Sequence, residues 1–380
     1  MITANIEGAM RHLEASMSGT GEFVPARRPL SSSRSAPALP TSAASDEMLK
    51  QDHQLFRGEC LSHQEWARLE RKMADSIREI PMPSLGQSLV ESGDPGELIA
   101  LVTTEADWIA TLTFGASTVR LIGPERTFAE PTAAFAVRHD TWVRTLPEPF
   151  SGSTDRAWLD NALEANRSGL PDILAISMQY LRGAPPIYDG DLQIAGDANY
   201  GPLDSKGARQ EESDFNDYLG VTRTYAEGRV DPPEADEFRC LDCSGFMRMI
   251  WGYRQNTAGL GRASIPLCYR PSAGRAAIPR RSYQIYASGP GVIVIKNMHA
   301  QVIDLSPLAI GDLVFFDRDT KDGPRLDHVG MYLGPDEGGH HRFISSRKTH
   351  NGPTLGDEGG RSILDGTRDY ARSFRAARRL

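Results

Sequence analysis

The feature that most constrains the fold is a change of pattern in the C-terminal half of the chain. Residues 239–254 read RCLDCSGFMRMIWGYR, and Phe246, Met249, Ile250 and Tyr253 recur there at helical spacing. The later segments VIVIKN, DLVFF, HVGMYLG and HRFISS are short and rich in β-branched or aromatic residues, as strands are. A helical segment followed by antiparallel strands predicts an α+β domain.

Composition divides the 380 residues into four regions. Residues 27–46 are rich in Ser, Pro and Ala, a composition that cannot offset the entropy of ordering, so we expect a disordered tail over 1–46. Residues 47–95 carry apolar side chains at helical spacing among charges, which predicts a helical segment and linker. Short strand-like runs separated by Gly and Pro predict a small β-rich module over 96–150. The remainder, 151–380, is predicted as one further domain.

Charge and cysteine content exclude several classes of protein. The net charge of -8 and the pI near 5.7 disfavour a large phosphate-binding surface, so no nucleic-acid partner is expected. Four cysteines are too few to build a disulfide scaffold in a chain of this length. No apolar run approaches the roughly 20 residues that span a bilayer, and no signal peptide is visible. The localisation and the protein partners are therefore left open.

The cysteine pair lies where the helical pattern begins. Cys243 stands three residues before Phe246 on the same stripe, so it faces the core side of the helix. Asp242 and Ser244 are both good N-cap residues, so we expect the helix to start within a residue of Cys243. Unpaired backbone N–H groups and the positive end of the helix dipole favour a thiolate there, which predicts a lowered pKa for this thiol.

Three other interpretations of the CxxC spacing stay open at this stage. A zinc site needs a second pair of ligands, and the side chains of His340 and His341 would diverge on a strand. A redox dithiol fits the spacing, but the alternating βαβ context is missing. The negative charge of Asp242, between the two cysteines, would also disfavour thiolates. Cys243 could also be simply a small buried residue, since free cysteines are often buried.

Four blocks in order, DCSGFMRMIWGYR, GDLVFF, DHVGMYLG and HRFISS, resemble the NlpC/P60 family of cysteine peptidases. The resemblance covers roughly residues 172–380, and the terminal YARSFRAARRL is similar to the last strand of that family. It implies a papain-like fold, in which a helix bearing the cysteine packs against an antiparallel sheet bearing the histidine.

The resemblance implies that Cys243 is the nucleophile and that His328 is the general base. On a strand, His328 and Gly330 share one face, and Gly330 leaves room there for another backbone, such as the start of the cysteine helix. The third catalytic position, most often histidine in the family, falls on Ser345, a neutral acceptor that stabilises an imidazolium less well. His350, five residues later, is an alternative partner for the imidazole.

The oxyanion site is predicted from the same resemblance. The backbone N–H of Cys243 is a natural donor to a tetrahedral intermediate. Family members add a tyrosine from a stretch that GAPPIYDG resembles, although Pro186 occupies the tyrosine's place here and Tyr188 follows two positions later. Tyr188 is the favoured candidate, and Tyr225 is the alternative. Asp312 and Asp327 are not expected to act as catalytic acids.

The resemblance therefore implies hydrolysis of an amide bond in the stem peptides of peptidoglycan, with no metal or organic cofactor. Two alternatives remain. An acyltransferase on the same fold would pass the acyl group to something other than water, and the long Gly- and Pro-rich insertions could exclude water from the cleft. The unusual third residue also permits a noncatalytic domain that binds the cell wall.

Overall fold

A computed structural model describes most of the chain from residue 98 to the C-terminus. The described residues are 98–102, 108–131, 133–152, 154–256, 264–271, 276–319, 321, 323–356 and 362–380. The predicted N-terminal tail and helical segment, residues 1–95, lie outside them. The fold is mixed α/β with antiparallel sheets and few helices, so this part of the fold-class prediction is confirmed.

An antiparallel meander of four strands comes first along the described chain. Its strands are β1 (Leu98–Val102), β2 (Trp108–Thr113), β3 (Thr118–Ala129) and β4 (Ala136–Thr145), paired in sequence order. Alternating side chains such as Leu112, Val119 and Leu121 are buried under helix α1 (Arg156–Arg167). These strands lie within the stretch predicted as a β-rich module, and its boundaries stay a prediction.

Short elements connect this meander to the C-terminal sheet. They are helices α2 (Ile173–Met178) and α3 (Phe215–Leu219), and the strand pairs β5 (Ile187–Asp189) with β6 (Leu192–Ala195) and β7 (Arg223–Thr224) with β8 (Val230–Asp231). A 3₁₀ turn, Ala235–Glu237, leads into helix α4 (Cys243–Trp251), and a second 3₁₀ turn, Tyr253–Asn256, follows it.

The C-terminal sheet has six strands in the spatial order β13-β12-β11-β10-β14-β9. Helix α5 (Ser282–Ser288) precedes it, and helix α6 (Asp369–Ser373) precedes its last strand. The strands are β9 (Val292–Ile295), β10 (Leu313–Phe316), β11 (His328–Pro335), β12 (His341–Arg347), β13 (Gly352–Thr354) and β14 (Phe374–Arg379). All five pairings are antiparallel.

Helix α4 packs directly on this sheet. Phe246 and Ile250 of the helix are fully buried in one core with Val329 and Met331 of β11. Burial of such side chains is worth about 1.5–3 kcal/mol each. Every residue of α4 is buried, so the helix is enclosed on all sides and not only along the apolar stripe read from the sequence. The first residue of the helix, Cys243, belongs to the same core.

Both sheets contribute to that core. The meander contributes Phe128, Val137 and Val143, which pack with the α2 residues. It is also hydrogen-bonded to the end of β14, because the Leu380 carbonyl accepts the Thr118 backbone N–H at 2.6 Å and the Thr118 hydroxyl at 2.5 Å. The meander is therefore attached to the C-terminal sheet by shared apolar packing and by backbone hydrogen bonds.

Glu130, just after β3, adds a polar contact between the meander and the C-terminal sheet. Its carboxylate accepts hydrogen bonds from the Thr354 hydroxyl at 2.7 Å and the Leu355 N–H at 3.1 Å, and it lies 3.2 Å from His350 Nε2. Burial alone would raise the pKa of Glu130, but the hydrogen bonds from His350 and Thr354 outweigh it and lower that pKa. The folded state therefore holds this carboxylate ionised.

Glu130→Gln should lower the free energy of unfolding at pH 7 by about 1–3 kcal/mol, because the buried donors lose a charged acceptor. Since the pKa is lowered by folding, the stabilisation is present above the ordinary value of 4.5 and is lost as the pH falls through the folded value. Urea unfolding of both proteins at pH 7 and at successively lower pH measures this, and the difference should shrink on acidification.

Glu125→Gln on β3 is the matched control, because the Glu125 side chain is 63% exposed and forms an ion pair with Arg138 at 3.6 Å. Its effect should stay within about 0.5 kcal/mol. Equal effects of the two substitutions, or a Glu130 effect that does not depend on pH, would contradict the assignment.

Candidate active site

The start of helix α4 is capped by the residue immediately before the cysteine. Asp242 is the N-cap, and its Oδ1 accepts a hydrogen bond from the Gly245 N–H at 2.7 Å. Gly245 is required at the third helical position because a Cβ there would clash with the Ser213 carbonyl oxygen. Cys243 is thus the first helical residue, as the N-cap pattern predicts.

A network of buried ions holds this cap in place. Arg280 Nη2 donates to Asp242 Oδ2 at 2.8 Å, and Arg280 Nε lies 3.6 Å from Asp214. Asp214 in turn accepts from Nε of Arg248, within helix α4, at 3.0 Å. All four side chains are at most 5% exposed. The network joins helix α4 to the N-cap of α3 and to the segment before α5.

The Cys243 thiol is buried against the strand that carries His328. Its Sγ lies 3.9 Å from the carbonyl oxygen of Asp327, and the Val329 N–H also interacts with it. The sulfur therefore contacts the backbone on both sides of His328. No hydrogen bond joins Sγ to the imidazole, so the thiol is oriented toward a carbonyl group in this state.

Burial raises the pKa of Cys243 above its ordinary value, and the neighbouring Asp242 carboxylate raises it further. The expectation of a lowered pKa is therefore not met. The favourable helix dipole reaches only the first turn and is worth about 0.3–1 kcal/mol at exposed sites, whereas removing a thiolate from water costs more than that. The resting thiol is neutral.

His328 is the first residue of β11, and its ring is also buried. Nε2 lies 3.1 Å from the Ser345 hydroxyl, and the ring packs beside Phe316 and Tyr370 with centroids 5.7 Å apart. Burial lowers the pKa of His328 well below its ordinary value, and the positive charges of Arg318 and Arg347 lower it further. The resting imidazole is neutral as well.

Ser345 has a second partner that the sequence did not reveal. Arg347 Nε donates to the Ser345 hydroxyl at 2.8 Å, and Arg347 also donates to the Gly356 carbonyl at 3.0 Å. A hydroxyl has one proton and two lone pairs, so Arg347 takes one acceptor site and polarises the group. Ser345 is consequently a weaker acceptor for an imidazolium N–H than an isolated serine would be.

The three candidate tyrosines occupy very different places. Tyr188 lies on β5 and is 58% exposed. Tyr225 is buried and accepts a hydrogen bond from Arg248 at 2.7 Å, as part of the ion network. Tyr200, which was not a candidate from the sequence, is also buried, and the charge of a Cys243 thiolate would act on its hydroxyl. Burial, followed by the effect of Cys243, raises the pKa of Tyr200, so this hydroxyl stays protonated.

A local signal for Tyr200 was present in the sequence. Gly201 follows it directly, and a Cβ there would clash with the Gln210 carbonyl oxygen, so the backbone at this point is closely packed. The segment also touches the cysteine loop, because the Leu241 N–H donates to the Asn199 carbonyl at 2.8 Å. A Tyr-Gly pair upstream of the cysteine helix is therefore the sequence pattern that could have identified Tyr200.

Other residues considered from the sequence have different partners. His350 lies against Glu130, Asp312 accepts from Arg379 Nε at 2.8 Å, and the Asp327 carboxylate accepts from the Arg318 N–H at 2.9 Å. Gly330 does leave room, but for the side chain of Phe343 and the carbonyl of Ile344 on β12 rather than for the cysteine helix. This part of the expectation is wrong, because the neighbouring strand covers that face.

Comparison with known proteins identifies a family for part of the chain. Residues 233–354 match the NlpC/P60 family, and this segment contains Cys243, His328 and Ser345. No curated protein and no solved structure matches the chain. Within the residues described, no helix has both the length and the apolar character that crossing a membrane requires.

Arg280→Met should destabilise the protein by about 3–5 kcal/mol, because it leaves Asp242 and Asp214 buried without their shared cation. Urea unfolding measures the change in free energy. Arg281→Met is the matched control, since its side chain is 32% exposed and pairs with the exposed Glu212; a loss of at most about 1 kcal/mol is expected. Equal losses for the two variants would show that the buried network does not stabilise the helix start.

Iodoacetamide should modify Cys243 slowly at neutral pH, and the rate should rise about tenfold per pH unit and keep rising beyond the ordinary thiol pKa, where an unperturbed thiol would level off. The sign follows from the raised pKa, since the thiolate fraction grows only as the pH rises. Peptide mass spectrometry gives the rate at Cys243 itself. A fast rate that is constant from pH 6 to 8 and is lost in His328→Ala would instead reveal a thiolate–imidazolium pair.

Proposed function

The C-terminal region carries an NlpC/P60 domain, and on this premise we propose that the protein is a thiol-dependent hydrolase of amide bonds in peptidoglycan stem peptides. Proteins of this family are generally hydrolytic cell-wall peptidases. The observation that carries the proposal is the position of the Cys243 sulfur, at the start of a buried helix and against the backbone of His328. A helix on an antiparallel sheet in this arrangement supports a papain-like organisation.

Because the Cys243 thiol and the His328 imidazole are both neutral at rest, the first chemical step has to transfer a proton between them. We infer that a bound substrate turns the Cys243 thiol from the Asp327 carbonyl toward the ring of His328, a rotation about χ1. Because Nε2 faces Ser345, Nδ1 is the nitrogen available to take the thiol proton. Proton transfer then accompanies attack of sulfur on the amide carbon, so that no free thiolate has to form in the apolar site.

The remaining steps form and then hydrolyse a thioester on Cys243. The new C–S bond places negative charge on the carbonyl oxygen, and collapse of this intermediate breaks the C–N bond. The departing amine takes the proton from His328, which leaves a thioester on Cys243. Water then attacks the thioester with His328 as base, and it releases the carboxylic acid and the neutral thiol.

Two hydrogen-bond donors are suited to stabilising the oxyanion of the tetrahedral intermediate. The Cys243 backbone N–H is at the first position of the helix, where amides have no intrahelical acceptor. We propose Tyr200 as the second donor, in place of Tyr188, because it is buried and follows Asn199, whose carbonyl accepts the Leu241 N–H two residues before Cys243, and because its raised pKa keeps the hydroxyl protonated. Tyr188, exposed on β5, is better suited to contact a substrate at a distance from the reacting atoms.

A second candidate function is a noncatalytic domain that binds cell-wall peptides. The lack of a hydrogen bond between Cys243 and the imidazole favours it, as does the Arg347 charge, which disfavours a protonated His328. Under this alternative the same cleft would hold a stem peptide without cleaving it.

Liquid chromatography with mass spectrometry on muropeptides incubated with the protein tests the proposal. Wild type should release a fragment cut at one stem-peptide amide, and Cys243→Ala and His328→Ala should lower the rate by at least about 10³-fold. Cys240→Ala is the matched control, since Cys240 belongs to the same CxxC but its Sγ interacts with the Phe238 carbonyl at 3.8 Å, and it should retain cleavage.

Cleavage that survives in Cys243→Ala would contradict covalent catalysis by this thiol. If wild type forms no product but binds muropeptides saturably, the noncatalytic function is correct. Tyr200→Phe separates the two tyrosines, because it should lower kcat with little change in KM, whereas Tyr188→Phe should leave kcat unchanged.

A further inference from the structure

Two exposed side chains of opposite charge, Glu211 and Lys348, form an ion pair in a cavity of the protein. The Lys348 ammonium donates to a carboxylate oxygen of Glu211, and the side chains are 48% and 57% exposed. Both line a cavity of about 600 Å³, a volume that accommodates a short peptide. Exposed pairs of this kind stabilise a fold very little, so folding alone does not account for this one.

Each partner is attached to the cysteine loop through a residue close to it in the chain. The residue after Glu211 donates its backbone N–H to the Asp242 carboxylate at 3.1 Å. Two residues before Lys348, the Ser346 hydroxyl donates to the Leu241 carbonyl at 2.5 Å. The ion pair therefore connects two segments that both contact the residues just before the nucleophile.

The two charges also lie close to the reacting groups. The Lys348 ammonium is 6.0 Å from the ring centroid of Tyr200, the proposed oxyanion donor. Burial is the main cause of the raised pKa of Cys243, and the negative charge of Glu211 contributes to it. Burial is likewise the main cause of the lowered pKa of His328, to which the positive charge of Lys348 contributes. A peptide bound at the thiol therefore has both charges within reach.

The backbone that presents Glu211 is held in a strained conformation. Glu212 has a φ of 99°, in the left-handed region that residues other than glycine seldom adopt. Its N–H donates to Asp242, and its carbonyl accepts a hydrogen bond from Arg280. Such conformations persist only where surrounding contacts enforce them, and they are concentrated at binding sites. The position of Glu211 is thus specified by the same ion network that fixes the nucleophile.

We propose that Glu211 and Lys348 select the substrate by exchanging their mutual ion pair for the charges of a zwitterionic peptide. Glu211 binds a free ammonium group of the peptide, and Lys348 binds a free carboxylate group. Separating two exposed side chains loses little, and each gains a charge-assisted hydrogen bond to the peptide. A peptide that lacks one of these charges leaves one member of the opened pair without a partner, so it binds more weakly.

The inference rests on the proposed function for the identity of the ligand as a peptide of the cell wall. It goes beyond that function because it assigns the binding selectivity to two side chains outside the reacting groups. Selectivity of this kind can be measured by binding alone, in a variant that does not carry out the reaction.

Isothermal titration calorimetry of the full-length Cys243→Ala protein tests the selection. The probes are a synthetic stem peptide with free amine and carboxyl groups, its N-acetylated form and a form with amidated carboxyl groups. The zwitterionic peptide should bind at least about tenfold more tightly than either capped form. In this background, Glu211→Gln should abolish the preference for the free amine, and Lys348→Met should abolish the preference for the free carboxylate.

Each of these two variants should bind the corresponding capped peptide as the parent does, which also shows that the variant is folded. Glu212→Gln and Arg281→Met are the matched controls, because these residues form a second ion pair in the same cavity at 2.8 Å, with side chains 64% and 32% exposed. Both controls should keep the two preferences, since the pair of Glu211 and Lys348 stays intact in them.

Equal affinity for the three peptides, or binding of none of them, would overturn the proposal. Equal loss of selectivity in the controls would overturn it as well, since that result indicates attraction by the general charge of the cavity. Cleavage by wild type is followed separately with the same peptides. If wild type cleaves none of them while Cys243→Ala binds the zwitterionic form selectively, the proposed hydrolysis is wrong and the selection by Glu211 and Lys348 is confirmed.

Discussion

The site depends on one buried carboxylate, Asp242. Its oxygens cap helix α4 through Gly245, accept the Glu212 N–H at 3.1 Å and pair with Arg280 at 2.8 Å. Such a buried ion pair adds little net stability compared with apolar side chains, but breaking it is expensive. Its role here is therefore to specify one arrangement, in which the first residue of the helix, Cys243, is pressed against β11.

The same carboxylate explains the electrostatic state of the thiol. A cap that carries a negative charge fixes the helix start, yet it also opposes a thiolate at the next residue. With His328 kept neutral by burial and by Arg318 and Arg347, both groups rest uncharged. The proposed hydrolytic mechanism then needs the substrate to couple proton transfer with attack, and the Arg347–Ser345 contact makes the imidazolium less stable than a basic third residue would.

Local patterns in the sequence were enough to predict part of this site. The apolar spacing gave residues of α4 that lie in the core, the N-cap residues gave its start at Cys243, and the order of the motifs gave the family that residues 233–354 match. These features depend on residues within one or two turns of each other. The strand character of β10, β11 and β12 was readable for the same reason, from β-branched and aromatic residues.

The features that were missed depend on contacts between distant parts of the chain. Arg280 reaches Asp242 from 38 residues away, and the Cys243 sulfur meets the Asp327 carbonyl across 84 residues. Burial at that contact decides the sign of the thiol pKa, and no local pattern reports it. Tyr200 was not considered because the motif comparison followed spacing along the chain, whereas the approach of its segment to the cysteine loop depends on the Asn199–Leu241 backbone hydrogen bond.

The covalent intermediate is the central claim, and intact-protein mass spectrometry during turnover tests it most directly. Wild type mixed with muropeptide and quenched in acid within the first turnovers should gain the mass of the acyl fragment, and digestion should locate that mass on Cys243. An adduct on another residue, or steady product formation while the protein mass stays unchanged at every quench time and Cys243→Ala remains active, would contradict the account.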